Sequence, residues 1–167
     1  CRFLHLSYSD DLVLDNSREI RETLQMPEMQ ALFGVNIQSS NNKKWHTDKG
    51  VGLYAVSTGG QVTGFGAGQL TTDESFQREV NDFVPYYDSQ FNGAIIIDDP
   101  IKPEDALSDN IREQVNRRFE TTIRNRVNSR NTPIIIIMQR LHEHDLCGYL
   151  METEPDEWEV VSLPCIE

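Results

Sequence analysis

Two adjacent carboxylates, Asp98 and Asp99, follow four consecutive aliphatic residues, Ala94 to Ile97. Acids delivered at the carboxyl end of a buried strand suit a nucleotide-hydrolysing site. The first can hold Mg²⁺, usually through water, and the second can polarise the attacking water. Such pairs also end strands in ordinary turns, so the neighbouring residues decide. A second aliphatic run, Ile134 to Met138, leads into Gln139 and Arg140, polar groups that would lie beside the carboxylates in a parallel sheet. Gln139 could contact a terminal phosphate or its water, and Arg140 could stabilise developing charge. His142-Glu143-His144-Asp145 contains metal-ligand residue types. On a helix, however, the two imidazoles point apart and only His142 and Asp145 share a face, so helix capping is expected there rather than a metal site.

The elements that must hold these groups follow from hydrophobic patterning. Phe3 to Tyr8 reads as a short strand and Asp10 to Leu24 as a helix ended by Met26-Pro27, with a second short helix over Glu28 to Phe33. Small strands are expected between Val35 and Thr47, and Gly52 to Ser57 is a clearer one. Thr58 to Gly68 carries five glycines in eleven residues, a loop able to take turns closed to other residues and to approach a ligand. Ser75 to Val84 is compatible with a helix. The run Ala94 to Ile97 reads as a strand buried on both faces. From Glu104 to Val127, apolar residues at 107, 111, 115, 119, 123 and 127 predict one long helix, with Ser108 or Asp109 capping its main part. Ile134 to Met138 predicts a second buried strand, a short helix follows to about Leu150, and Trp158 to Leu163 reads as a final strand. Buried strand, helix, buried strand, helix is the pattern of parallel βαβ units, whose ligands bind at the carboxyl ends of the strands.

Composition narrows the classes. At 167 residues the chain is one domain's worth of material. No apolar run approaches the roughly 18 residues a membrane span needs. Cys1, Cys147 and Cys165 lack CxxC spacing, so free thiols in a reducing compartment are expected. A net charge of −12 argues against a general phosphate-backbone binder. Charge is uneven, though: Asn110 to Arg140 holds seven arginines against Glu113 and Glu120, and its +5 leaves −17 for the rest.

Four blocks, SYSDDLVLDNSREIRETL, STGGQVTGFGAG, GAIIIDDPIKPEDALSDNIREQV and TPIIIIMQRLHEHDLCGYL, resemble the ATPase domain of phage terminase large subunits, in the same order. Residues 69 to 92 resemble an insertion between them. The resemblance implies an α/β fold, a mostly parallel sheet flanked by helices that forms part of a P-loop NTPase core. It assigns Asp98 to the Walker B aspartate, Asp99 to the catalytic acid where many relatives have Glu, Gln139 to the coupling position where Thr or Ser is common, and Arg140 to Asp145 to the adjoining block. It implies ATP and Mg²⁺ as ligands in the intact protein, with double-stranded DNA, the terminase small subunit, the portal protein and sister large subunits as partners, in the bacterial host cytoplasm. No GxxxxGK[ST] occurs in the chain. Residues 1–167 are therefore expected to be an internal piece, with the phosphate-binding loop upstream and a ribonuclease-H-like nuclease domain downstream, and alone to neither bind ATP tightly nor hydrolyse it.

Ring ATPases commonly complete each site with an arginine, so at least one of Arg124, Arg126, Arg130 and Arg140 is expected there, Arg140 foremost because it adjoins the coupling residue. Two other readings stand beside this one. A helicase-like remodelling ATPase shares strand-end acids, but the chain has no DEAD or DEAH box. A non-catalytic prophage remnant acting only in protein association fits the missing phosphate-binding loop.

Overall fold

A computed structural model describes residues 1–38, 41–58, 91, 93–127 and 132–163. The Gly-rich loop, apart from Thr58, the helix expected over Ser75 to Val84, and Arg130 lie outside the described residues. Five strands form one sheet: β1 (Arg2–Ser7), β2 (Lys44–His46), β3 (Gly52–Ser57), β4 (Gly93–Asp98) and β5 (Ile134–Ile137), in the order β2-β3-β1-β4-β5. β1, β3, β4 and β5 run parallel and β2 is antiparallel to β3. The fold is α/β, with a mostly parallel sheet flanked by helices, as the sequence pattern predicts.

Helix α1 (Asp10–Gln25) begins where the Ser9 side chain accepts from the Leu12 amide, and Asp10 and Asp11 complement its first turn. It ends because Pro27 drives Met26 out of the helical region, to ψ 145°. Helix α2 (Pro27–Phe33) follows directly. α1 packs over β1 and β3, where Val13 meets Trp45, Leu53 and Ala55. The Trp45 indole donates to Ser17 Oγ (2.9 Å), and Ser17 in turn donates to the Asn42 carbonyl (2.5 Å), so the polar atoms of that buried contact are satisfied.

The opposite face of the sheet carries Leu4, Leu6, Val56, Ile95 and Ile97, packed against Phe119, Ile123, Leu146 and Leu150. Helix α3 (Asp109–Arg118) and helix α4 (Leu146–Thr153) lie there. Consecutive strand residues alternate between the two faces, and this split leaves His5, Ser7, Ser57 and Asp98 on the α1 side.

β4 can enter the sheet only at a glycine. Gly93 has φ +128°, and a Cβ there would stand 1.8 Å from the Arg2 carbonyl oxygen.

Three expectations fail for physical reasons. The single helix over Glu104 to Val127 is instead a 3₁₀ turn (Pro103–Asp105), α3, a π turn (Phe119–Ile123) and a 3₁₀ turn (Arg124–Arg126). A strict spacing of four outruns the 3.6-residue α-helical turn, and the wider π turn lets both Phe119 and Ile123 reach the core. Ser108 occupies the N-cap of α3 but makes no side-chain capping bond. β5 is not buried on both faces: it is the edge strand among the described residues, and Ile135 and Ile137 are 44% and 54% exposed because α1 does not extend over it. Trp158 to Leu163 forms no strand. Trp158 packs on Phe119 and donates to Glu154 (3.2 Å), while Val160, Val161 and Leu163 are exposed.

Candidate functional site

The carboxyl ends of the parallel strands contain a topological switch point. From β1 the chain turns to α1 on one face and moves toward β3. From β4 it turns to α3 on the other face and moves toward β5. Where neighbouring strands send their connections to opposite faces, a crevice opens beyond their ends, and in open α/β sheets ligands bind there. The crevice here falls between Ser7-Tyr8 and Asp98-Asp99. It is tied by three backbone bonds: Tyr8 N to Asp99 O (2.9 Å), Thr58 N to Ser7 O (2.6 Å) and Asp99 N to Ile137 O (2.9 Å).

Asp98 is the last residue of β4 and sits in register with Ser7 of β1 and Ile137 of β5. Its half-buried carboxylate accepts from Asn16 Nδ2 of α1 at 3.4 Å. Asp10, at the start of α1, accepts the Ser57 amide (3.2 Å), so the helix terminus is docked onto the strand ends by its own carboxylate. Asp99 has φ +47°, the only described non-glycine residue with positive φ. Asp tolerates the left-handed region better than most side chains, and strained residues of this kind cluster at functional sites.

Gln139 is exposed, two residues beyond the Asp98–Ile137 register pair. It therefore extends past the same sheet end as the carboxylates. Arg140 is held by the segment that follows it: its Nε bonds both carboxylate oxygens of Asp145 (2.9 and 3.0 Å), and a terminal nitrogen reaches the carbonyls of His142 and Glu143. Asp145 is 1% exposed and also accepts the Leu141, His142 and Gly148 amides. The expectation that His142 to Asp145 lie on a helix is corrected here. They form a turn, and Asp145 alone is the N-cap of α4. Gly148 completes the block, since a Cβ there would lie 1.8 Å from the Glu143 carbonyl oxygen.

Of the other arginines singled out, Arg124 makes a paired contact with Glu154 (2.6 and 2.7 Å) and a further one with Glu120, fastening the π turn to the end of α4. These carboxylates hold its guanidinium in the charged form. Arg126 is half-buried. Among the described residues no three His, Cys, Asp or Glu side chains are grouped to hold a metal by themselves. A Mg²⁺ at Asp98 would accordingly be one held by a single carboxylate, water and nucleotide phosphates, the usual arrangement for this ion.

Sequence reasoning missed His5, Ser7 and Asn16. Their only signal is the two-residue alternation of β1, which sets His5 and Ser7 on Asp98's face, and the position of Asn16 on the first turns of α1. His5 is 5% exposed with Nδ1 unpartnered among the described residues. Burial holds its imidazole below its ordinary value, and the Asp98 charge pulls partly the other way. The unfolded chain takes up that proton near pH ~6.5, the folded protein only at lower pH, so stability is full above this point and declines as the pH falls from it toward the folded value. Denaturant midpoints measured between neutral and mildly acidic pH are expected to fall less in His5→Gln than in the wild type. Equal slopes would remove His5 from the account.

The architecture defines an α/β protein with Ser7, Ser57, Asp98 and Asp99 at the switch-point end of a mostly parallel sheet. Compared with known proteins, the chain matches no family model and no curated protein. Among the described residues no helix is long and apolar enough to cross a membrane.

Proposed function

We propose that this chain is part of the ATPase of a phage DNA-packaging motor, the terminase large subunit, in which ATP hydrolysis drives double-stranded DNA into a procapsid. The observation that carries this reading is the position of Asp98 and Asp99 at the switch-point crevice, with Gln139 leaving the neighbouring strand at the same end. The resemblance of the four sequence blocks supports the choice of motor.

Bound MgATP would supply the electrophilic terminal phosphorus and the cation that neutralises its oxygens. Asp98 would hold the cation, through its water shell. Asp99 would orient and polarise the attacking water; its left-handed backbone is one that Asp tolerates better than the Glu that the resemblance leads one to expect there. Gln139 reads the terminal phosphate. Arg140, locked to Asp145, keeps the segment after β5 folded back on α4 and so fixes where Gln139 emerges. On this reading the phosphate-binding loop would come from outside these residues, and the outer edge of β5, unpaired among the described residues, is where the strand that carries it could pair.

The full-length protein is expected to hydrolyse ATP with Mg²⁺ and to do so faster with double-stranded DNA. Asp99→Asn should slow turnover by about 100-fold or more, in the range ascribed to a positioned base, while nucleotide affinity stays near wild type. Wild-type protein without Mg²⁺-dependent hydrolysis would defeat the proposal. DNA-strand separation in place of DNA-stimulated translocation would favour the helicase-like alternative.

A further inference from the structure

Ser7 is fully buried, and its Oγ has no hydrogen-bond partner among the described residues. In parallel register it stands between Ser57 on one side and Asp98 on the other, so three oxygen-bearing side chains form a row across β3, β1 and β4. All three face α1. Neighbouring strands lie about 4.8 Å apart, which puts a serine hydroxyl within one χ1 rotation of a carboxylate on the adjacent strand. A buried hydroxyl with no partner is uncommon, and one adjoining a strand-end acid at the switch point has an evident acceptor.

The geometry points to Ser7 as a positioning residue for Asp98: its hydroxyl donates to the Asp98 carboxylate when a divalent cation is bound, while Asn16 donates from α1. The two donors restrict carboxylate rotation and leave one set of lone pairs aimed into the crevice between β1 and β4. Hydrogen bonds to ligating carboxylates tune metal sites in this way. The inference rests on the proposed MgATP reading of Asp98, and adds to it the residues that orient the acid.

Ser7→Thr and Ser7→Val make the test, since the two side chains share shape and branching and differ only by the hydroxyl. The full-length protein is titrated with Mn²⁺ in the presence of a non-hydrolysable ATP analogue, followed by electron paramagnetic resonance, and the Mg²⁺ dependence of hydrolysis is measured in parallel. Ser7→Val is expected to weaken Mn²⁺ binding about 10-fold and to raise the Mg²⁺ needed for half-maximal rate similarly, with Ser7→Thr close to wild type. Asn16→Ala, on a half-exposed position, should shift both in the same direction. Equal Mn²⁺ affinity in the Thr and Val variants overturns the positioning role while leaving the function intact. Wild-type protein that binds no Mn²⁺ under these conditions overturns the metal reading of Asp98 itself, and Ser7's role with it.

Discussion

Asp98→Ala is expected to reduce Mg²⁺-dependent ATP hydrolysis by the full-length protein by about 1,000-fold or more, the upper range for removing a group that stabilises transition-state charge. The expectation follows from what the residue does not do for the fold. Asp98 ends β4, its carboxylate is half-buried, and the side-chain hydrogen bond it accepts, from Asn16, is long at 3.4 Å. Water can replace that bond at the mouth of the crevice, so the stability change should stay within about 1 kcal/mol. Activity and stability are therefore predicted to separate. A denaturation curve near wild type with hydrolysis lost is the signature of a cation-holding carboxylate. Near-wild-type turnover would end the assignment, and loss of both would mean that Asp98 supports the sheet end instead.

Asp145→Ala is expected to produce the opposite pattern, with the largest stability loss of any substitution near the site. One buried carboxylate there satisfies the Arg140 guanidinium and the amides of Leu141, His142 and Gly148, including the cap of α4. Loss of an N-cap alone costs about 1 kcal/mol, and each hydrogen bond to a charged group adds on the order of 1.5–3 kcal/mol before overlap is counted. Arg140 is 46% exposed, so its abandoned charge can be hydrated, which lowers the total. A loss of about 2–4 kcal/mol, read from urea midpoints, is the expected result. Asp145→Asn keeps one acceptor oxygen and should fall between. If Asp145→Ala changed stability by less than about 0.5 kcal/mol, the turn from Arg140 to Asp145 would be held by something else, and Arg140 would be free for the nucleotide.

How much of this was legible in the sequence depended on whether the deciding interaction was local. The run before Asp98 could be read because a strand in the middle of a parallel sheet is apolar on both faces, and the acids that break the run mark its carboxyl end. The helices expected over Asp10 to Leu24 and Glu28 to Phe33 were legible because Met26-Pro27, whose effect reaches only a few residues, separates them, whereas the Ser9 cap was not read. Ile134 to Ile137 looked equally buried, yet half its side chains are exposed, because strand order and the reach of α1 decide that and neither is written in four isoleucines. Trp158 to Leu163 has strand-like residues, but a strand exists only where a partner edge accepts it. The π turn was concealed in a spacing of four that fits a drifting α-helix almost as well. Ser7 and Asn16 stayed invisible for the same reason: a lone serine ending a strand acquires meaning only once β1 is known to lie beside β4.

That adjacency also has a consequence for how the chain comes off the ribosome. β1 is the middle strand of the sheet, yet the partners it bonds on its two sides are translated well after it: Leu4 pairs with Tyr54 and with Ile95. At synthesis rates of roughly 5–20 residues per second, β1 waits on the order of several seconds to a quarter of a minute for β4. During that interval Leu4 and Leu6, fully buried in the finished molecule, have at most β3 beside them. Helix α1, capped by its own Ser9, can form at once and shelter one side of the nascent strand, but the side that will meet Phe119 and Leu146 stays open until those residues emerge. The nascent protein thus leaves Phe3, Leu4 and Leu6 of β1 uncovered for long, which makes β1 a segment that a ribosome-associated holding chaperone could protect.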